Sequence, residues 1–251
     1  MELKEFFGQY PKAALAFSGG VDSAYLLYAG LRWAKDMGVY YVKSPFQPEF
    51  ELNDARRLAE ELGAKMRVLE LDVLCDGMIS SNPPNRCYYC KKRIMSAICA
   101  AARADGYDVI IDGTNASDDI NDRPGFRVLE EQGVLSPLRI CGLTKAEVRR
   151  LSREAGLFTW DKPAYACLAT RIPTGEVITP EKLRAVEQAE EALFAMGFKD
   201  FRVRMRKNSA LLQFLPEQQT MAAERFEEIK TKLSALFDSI ETDPAGREKS
   251  Q

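Results

Sequence analysis

Short apolar runs alternate along this chain with longer stretches in which apolar residues recur every three or four positions. Lys12–Phe17, Val39–Val42, Lys65–Leu71 and Asp108–Asp112 have the length and composition of strands. Between them, Ala24–Ala34, Glu49–Leu62 and Lys91–Arg103 have helical spacing, with Gly63 closing the second and Gly106 following the third. A further helix spans Thr144–Ala155, with Thr144 as its cap, Glu147 three residues on and Gly156 at its end. Strands separated by helices predict an α/β fold, a doubly wound parallel sheet. In such sheets ligands sit at the carboxyl ends of the strands.

After about residue 165 the pattern changes. Gly175–Thr179 reads as a short strand and Pro180–Met196 as a helix capped by Thr179, with Pro180 at its first position. Phe201–Arg206 and Ala210–Leu215 form an expected antiparallel pair joined by Lys207-Asn208-Ser209, and Glu217–Phe237 a final helix. The expected organisation is therefore a nucleotide-type domain over residues 1–165, a small C-terminal α+β domain over 166–240, and a disordered tail over 241–251 that begins to turn polar at Asp238.

Composition narrows the chemistry. The 251 residues carry a net charge of −2, which gives no global electrostatic case for nucleic acid. No stretch approaches the roughly 18 apolar residues of a membrane helix, and residues 1–5 do not resemble a signal peptide, so a cytoplasmic location is expected. There are no histidines, so acid–base work falls to Asp, Glu, Lys, Cys or Tyr. Six cysteines are too sparse for a disulfide scaffold and are better suspected of metal or redox duty.

The most informative run is Ser18-Gly19-Gly20-Val21-Asp22-Ser23, where an apolar strand meets two glycines and then an apolar helix. Glycines let backbone N–H groups approach an anion, and the helix aims its positive end at the same spot. Asp22 is out of place beside an anion unless a divalent cation shares the site. The plain alternative is a tight turn with no ligand. A second segment, Asp112-Gly113-Thr114-Asn115-Ala116-Ser117-Asp118-Asp119, follows the last strand of the first half, and its paired carboxylates suit Mg²⁺. The two segments resemble the PP-loop and the second signature of the ATP pyrophosphatases, as do Ser136-Pro137-Leu138 and Thr144–Arg149. That resemblance implies ATP and Mg²⁺ as cofactors, cleavage of ATP between the α and β phosphates, and nucleotide contacts from Ser18, Gly19, Gly20, Val21, Asp22, Ser23, Gly113, Thr114 and Asn115.

Cys87 and Cys90 form a C-x-x-C pair in a loop that opens a helix, with Arg86, Lys91 and Lys92 beside them, a setting that favours thiolates. A redox disulfide, half of a zinc site, and a site needing a third thiolate elsewhere all remain open. Cys99 falls among Ile98 and alanines in a helix and reads as core, and burial is expected for Cys75 and Cys141 as well. Cys167 differs, lying in the loop-like stretch Lys162–Pro173 with Arg171 close by. Arg202, Arg204 and Arg206 alternate with apolar residues, which puts the three arginines on one face of a strand. That face is either solvated or a phosphate clamp.

Asn82–Lys91 and Cys167–Gly175, behind the Ser-Gly-Gly-Val-Asp-Ser run, resemble the LarE family of ATP-dependent sulfur transferases over nearly the whole chain. The resemblance implies conversion of two carboxylates of a pyridinium mononucleotide to thiocarboxylates, for the nickel-pincer nucleotide of lactate racemase. It implies Cys167 as the sulfur-bearing cysteine, and a [4Fe–4S] cluster on Cys87, Cys90 and Cys167. It also implies catalytic roles for Asp22, Arg171 and Glu190, and a phosphate clamp from Arg202 and Arg204. Sulfide or a sulfur-donor protein would be the further partner, and a homo-oligomer the assembly. The chain departs from the family at Met205-Arg206, where a histidine is common, and at Thr170, where serine is usual. A tRNA thiolase and a nucleotide-binding redox sensor are the rival readings.

Overall fold

The computed structural model describes residues 1–119 and 124–247. Its helices are α1 (Leu3–Gln9), α2 (Val21–Trp33), α3 (Glu49–Glu61), α4 (Gly77–Ser80), α5 (Arg86–Ala104), α6 (Pro124–Gln132), α7 (Pro137–Ile140), α8 (Lys145–Glu154), α9 (Pro180–Ala195), α10 (Gln219–Glu224) and α11 (Phe226–Leu233). Strands β1 (Lys12–Ala16), β2 (Asp36–Lys43), β3 (Met66–Glu70) and β4 (Ile110–Asp112) make a parallel sheet in the order β3-β2-β1-β4. The chain divides into two units. The first is Met1–Ser44, Glu49–Val73 and Asn85–Lys162; the second is Pro45–Pro48, Leu74–Pro84 and Pro163–Gln251.

In the first unit the pleat of the strands sorts residues between two core layers. Ala13, Leu15, Val39, Tyr41 and Ile111 join one layer, with Phe6 and Phe7 of α1, Leu27 of α2, Leu58 of α3 and Val148 of α8. Ala14, Tyr40, Val42 and Ile110 join the other, with Ile98 and Cys99 of α5 and Val128 of α6. A central strand covered on both faces has to be apolar at consecutive positions, and Ala13, Ala14 and Leu15 are fully buried. The fold is α/β, with helices on both faces of the parallel sheet. β2 and β3 lie on one side of β1 and β4 on the other, so the winding reverses between β1 and β4. Residues 18–23 leave the carboxyl end of β1 and residues 113–119 that of β4, which puts both sequence signatures at the switch point.

In the second unit β5 (Arg202–Arg206) and β6 (Ser209–Gln213) are antiparallel, and β6 pairs in parallel with β7 (Ser239–Thr242). Phe198, Phe201 and Phe214 are buried and pack ring on ring, with centroids 4.8 Å apart for Phe198–Phe214 and 6.1 Å for Phe201–Phe214. Thr179 caps α9 by accepting from the Lys182 N–H.

Several expectations are corrected. Gly175–Thr179 is not a strand; the N–H groups of Gly175 and Ile178 donate to the Asn82 and Ser80 carbonyls instead. The helix expected over 217–237 breaks at Arg225, which leaves helical geometry with its guanidinium on the Met196 carbonyl. The polar tail expected from Asp238 begins instead with β7, held by backbone pairing that needs no apolar pattern. The end of that tail, 248–251, lies outside the described residues. Cys75 is exposed rather than buried. Helix α5 starts at Arg86, so the C-x-x-C pair sits on the helix itself. Among the described residues, no helix is long and apolar enough to cross a membrane.

Candidate functional site

The turn after β1 is shaped by its small residues. Gly19 has φ +74°, a conformation that costs other residues dearly, and Gly20 is the N-cap of α2 without a capping side chain. The Ser18 and Ser23 hydroxyls lie 3.0 Å apart, Ser23 Oγ donates to the Gly20 carbonyl, and Ser18 Oγ accepts from the Gly20 N–H. The second segment meets this turn at Gly113. A Cβ there would lie 2.8 Å from Ser23 N and 3.1 Å from Ser23 Cα, so only glycine lets the loop approach the start of α2 this closely.

Asp22 stands at the first turn of α2. Lys145 Nζ, at the start of α8, lies 2.5 Å from its Oδ2, and Asn115 Nδ2 donates to Oδ1 at 3.4 Å. Burial pushes the Asp22 carboxyl up from its ordinary value; Lys145 opposes this, and the nearby Asp118 carboxylate reinforces it. Asn115 is buried, its side-chain oxygen accepting from the Ser117 N–H. Asp112 fixes the loop by accepting from Thr114 Oγ1 (2.6 Å) and Ser136 Oγ (2.7 Å). An uncapped helix start, a close-packed glycine cradle and an acid gripped by a lysine can hold a triphosphate with a divalent cation.

None of the six cysteines forms a disulfide. Cys87 and Cys90 are three residues apart at the start of α5, hence on one helix face, and Arg86 Nη2 reaches Cys87 Sγ at 3.5 Å. Cys99 is core, as expected, and burial raises its thiol. Cys167 belongs to the second unit and precedes the 3₁₀ turn Leu168–Arg171. No three Cys, Asp or Glu side chains converge as a metal site among the described residues.

The second unit clamps the Cys167 segment by its carbonyls. Arg171 Nη1 donates to Ala166 O (3.0 Å) and Thr170 Oγ1 (2.8 Å), and the Thr170 hydroxyl donates to Cys167 O (2.8 Å). Arg202 Nη2 reaches Ala164 O at 2.9 Å, and Arg204 Nη1 reaches Thr170 O at 3.1 Å. Arg171 is 1% exposed, and its fork meets Glu190 at 2.8 Å (Nε–Oε1) and 3.2 Å (Nη2–Oε2). Glu190 also accepts from the Val203 N–H at 3.0 Å and from the Tyr165 hydroxyl. The Tyr165 ring lies under both Arg171 and Arg202. Burial, with Arg171 and Arg247 nearby, pushes Arg202 down to about 10.

The structure thus groups the turn, the Gly113–Asn115 loop and Asp22 in the first unit, and Cys167, Arg171, Glu190, Arg202 and Arg204 in the second. Arg206 is exposed at the end of β5. Lys145, Tyr165 and Arg247 were given no role by the sequence reading. Lys145 had a local signal, the first helical position of a capped helix; Tyr165 and Arg247 had none.

No family model matches the chain. It is 38% identical over 218 residues to an uncharacterized protein of Synechocystis, covering 86% of this chain and 81% of that one. It is 34% identical over 208 residues to the pyridinium-3,5-bisthiocarboxylic acid mononucleotide synthase of Lactiplantibacillus plantarum, covering 82% of this chain and 75% of the relative. A tRNA-specific 2-thiouridylase of Thermotoga neapolitana is 24% identical over 190 residues, covering 58% of this chain and 52% of that enzyme.

Proposed function

This chain belongs to the family of pyridinium-3,5-bisthiocarboxylic acid mononucleotide synthases, the LarE family, and on that footing we propose that it activates carboxylates of a pyridinium mononucleotide with ATP and replaces an oxygen of each with sulfur. The observation that carries the ATP half is Asp22, an acid built into an anion-binding turn and gripped by Lys145 and Asn115. The rival reading, thiolation of a nucleic acid, has less in its favour: the tRNA-specific 2-thiouridylase is 24% identical over 58% of this chain, and a net charge of −2 gives no global electrostatic case for nucleic acid.

The residues fit Mg²⁺, which takes one or two carboxylates and completes its shell with phosphate oxygens; the Asp118 carboxylate is close enough to raise the proton affinity of Asp22. Bound there, the ion would neutralise phosphate charge. The N–H groups at the start of α2 bind the phosphates beyond the α position, and Lys145 adds a positive charge where pyrophosphate leaves. A carboxylate oxygen of the mononucleotide attacks the α-phosphorus. The bond to the β-phosphate oxygen breaks and pyrophosphate departs with the electron pair, leaving an acyl adenylate. Sulfide then attacks the acyl carbon and AMP leaves. The uncatalysed alternative would expel oxide, which is why the carboxylate has to be activated.

For the sulfur half we propose that Cys87, Cys90 and Cys167 hold a [4Fe–4S] cluster. Three features support this: none of them is in a disulfide, all are at least partly exposed, and Cys87 and Cys90 share a helix face beside Arg86. A cluster held by three protein thiolates would supply an iron open to sulfide. Arg171, Thr170, Arg202 and Arg204 hold the backbone that presents Cys167, and Arg202 and Arg204 recognise the phosphate of the mononucleotide. The assembly as a homo-oligomer, and sulfide or a sulfur-donor protein as the source, belong to the same proposal.

The test is release of pyrophosphate that depends on the mononucleotide. Asp22→Ala should reduce it to background while the far-ultraviolet circular dichroism spectrum is unchanged. Release at the wild-type rate in that variant would refute the assignment of the turn.

A further inference from the structure

We propose that Arg247 is a third arginine of the anion site in the second unit, carried there by the C-terminal segment 239–247 to bind the substrate phosphate together with Arg202 and Arg204. The inference rests on the reading of Arg202 and Arg204 as a phosphate clamp and extends it to a segment that has no recognisable motif.

Three observations carry it. First, the backbone of the segment is built to deliver this residue. After β7 the Asp243 N–H donates to Leu212 O (2.8 Å), the Gly246 N–H to Asp243 O (2.9 Å) and the Arg247 N–H to Phe214 O (2.9 Å). Gly246 has φ +62°, and a Cβ on it would stand 2.7 Å from Phe214 O, so the turn that returns Arg247 to β6 requires glycine. Second, the guanidinium is tied to the clamp. Arg247 Nη2 lies 3.0 Å from Asp200 Oδ1, the same oxygen that Arg202 Nη1 approaches at 3.6 Å. Asp200 has φ +49°, a conformation non-glycine residues seldom adopt, so the backbone is bent to put its carboxylate between the two arginines. Third, the segment also supports Arg204. Asp243 Oδ2 accepts from Gln213 Nε2 (2.8 Å), and Gln213 Oε1 accepts from Arg204 Nε (2.6 Å).

Arg171, Arg202, Arg204 and Arg247 gather beside Glu190, Asp200 and Asp243. Burial lowers the proton affinity of Arg202 and Arg204 most, and the charges of Arg171 and Arg247 lower it further. Guanidinium groups crowded in this way are relieved by a dianion that accepts forked hydrogen bonds, which is what a phosphate monoester offers.

The experiment measures calorimetric affinities of the full-length protein for nicotinic acid mononucleotide and for the corresponding riboside, which lacks the phosphate. Arg247→Gln should weaken the nucleotide about tenfold or more, the usual loss for one charge-assisted hydrogen bond, and leave the riboside unchanged. Arg247→Lys, which keeps the charge beside Asp200, should fall between the two and serves if the glutamine variant does not fold. Wild-type nucleotide affinity in both Arg247 variants, with Arg204→Gln weakened, would overturn the inference and leave the two-arginine clamp standing. Wild-type affinity in Arg202→Gln, Arg204→Gln and Arg247→Gln alike would remove the clamp and the inference together. Equal loss for nucleotide and riboside would show that Arg247 only shapes the fold, and would also overturn it.

Discussion

Replacing Gly113 by alanine tests the packing of the two nucleotide signatures. The added methyl would lie 2.8 Å from Ser23 N, 3.1 Å from Ser23 Cα and 3.3 Å from the Asp22 carbonyl carbon. All three neighbours are backbone of the first turn of α2, so no side chain can swing aside. To reach the ordinary contact distance of about 3.4 Å, the loop and the helix start must part by about 0.6 Å. Gly113 is not among the glycines with positive φ, so the effect is steric and not conformational. Overpacking of this kind costs about 1–3 kcal/mol, which lowers the unfolding temperature of a chain this long by roughly 5 °C. The same displacement moves Asp22 and the phosphate-binding N–H groups together. A 1 Å misplacement of reacting groups can cost a factor of about 100, so pyrophosphate release should fall between about tenfold and a hundredfold. The control is Gly133→Ala, whose Cβ would meet nothing within 4 Å and whose burden is its φ of +67° alone; it should lose stability and keep its turnover per folded chain. The assays are differential scanning calorimetry and mononucleotide-dependent pyrophosphate release. Gly113→Ala with wild-type turnover would refute the argument that the two loops must touch through backbone.

Further outcomes are expected. Iron and sulfide counted after anaerobic reconstitution should be lost in Cys87→Ala, Cys90→Ala and Cys167→Ala and kept in Cys75→Ala, Cys99→Ala and Cys141→Ala; the mass of the wild-type chain should stay fixed through turnover with excess sulfide, whereas a drop of about 34 Da, one H₂S per chain, would mean that Cys167 gives up its own sulfur. Lys162 bonds Glu51 at 2.9 Å and Asp54 at 2.7 Å, with Lys162 and Glu51 largely buried, so Lys162→Met should cost about 2 kcal/mol near neutral pH, below the ~3–5 kcal/mol of a fully enclosed pair. Burial already raises the Glu51 carboxyl and Lys162 lowers it, so in the variant the folded state holds its proton more tightly than the unfolded chain does. Stability is then lost as pH rises above the unfolded carboxyl value, and urea unfolding should show the deficit growing from pH 4 to pH 8; a deficit independent of pH would show that the ion pair is not its source.

What could be read from the sequence is what local chemistry encodes. The β1 run, the two glycines and α2 carry their pattern within a dozen residues, as does the capping box of Thr144 and Glu147, and all are present in the structure. The alternation Arg202-Val203-Arg204-Met205 gave the strand and its buried apolar face. Contacts between distant residues leave no such trace. Lys145 and Asp22 are 123 positions apart, and nothing near either one announces the pair. β7 was missed because Ser-Ile-Glu-Thr has no apolar alternation to speak of; it is held by its pairing to β6. With it went any sequence signal for the contacts of Asp243 and Arg247.

The sequence also named Glu190 without saying what it is for, and the geometry supplies an answer. Burying a carboxylate and a guanidinium is costly unless every lone pair and N–H finds a partner. Glu190 accepts from Arg171 Nε and Nη2, the Val203 N–H and the Tyr165 hydroxyl, which fills it. The carboxylate so occupied is 2% exposed. On the proposed function its effect is one of position: Glu190 fixes Arg171, Arg171 holds Ala166 O and the Thr170 hydroxyl, and that hydroxyl holds Cys167 O. The rigidity of α9 and β5 is passed in this way to the segment that presents the thiol. Such an arrangement suits a reaction in which ATP, and not a general acid, creates the leaving group. A chain without a single histidine can run that reaction by holding charges still, and its buried polar groups are spent on doing so.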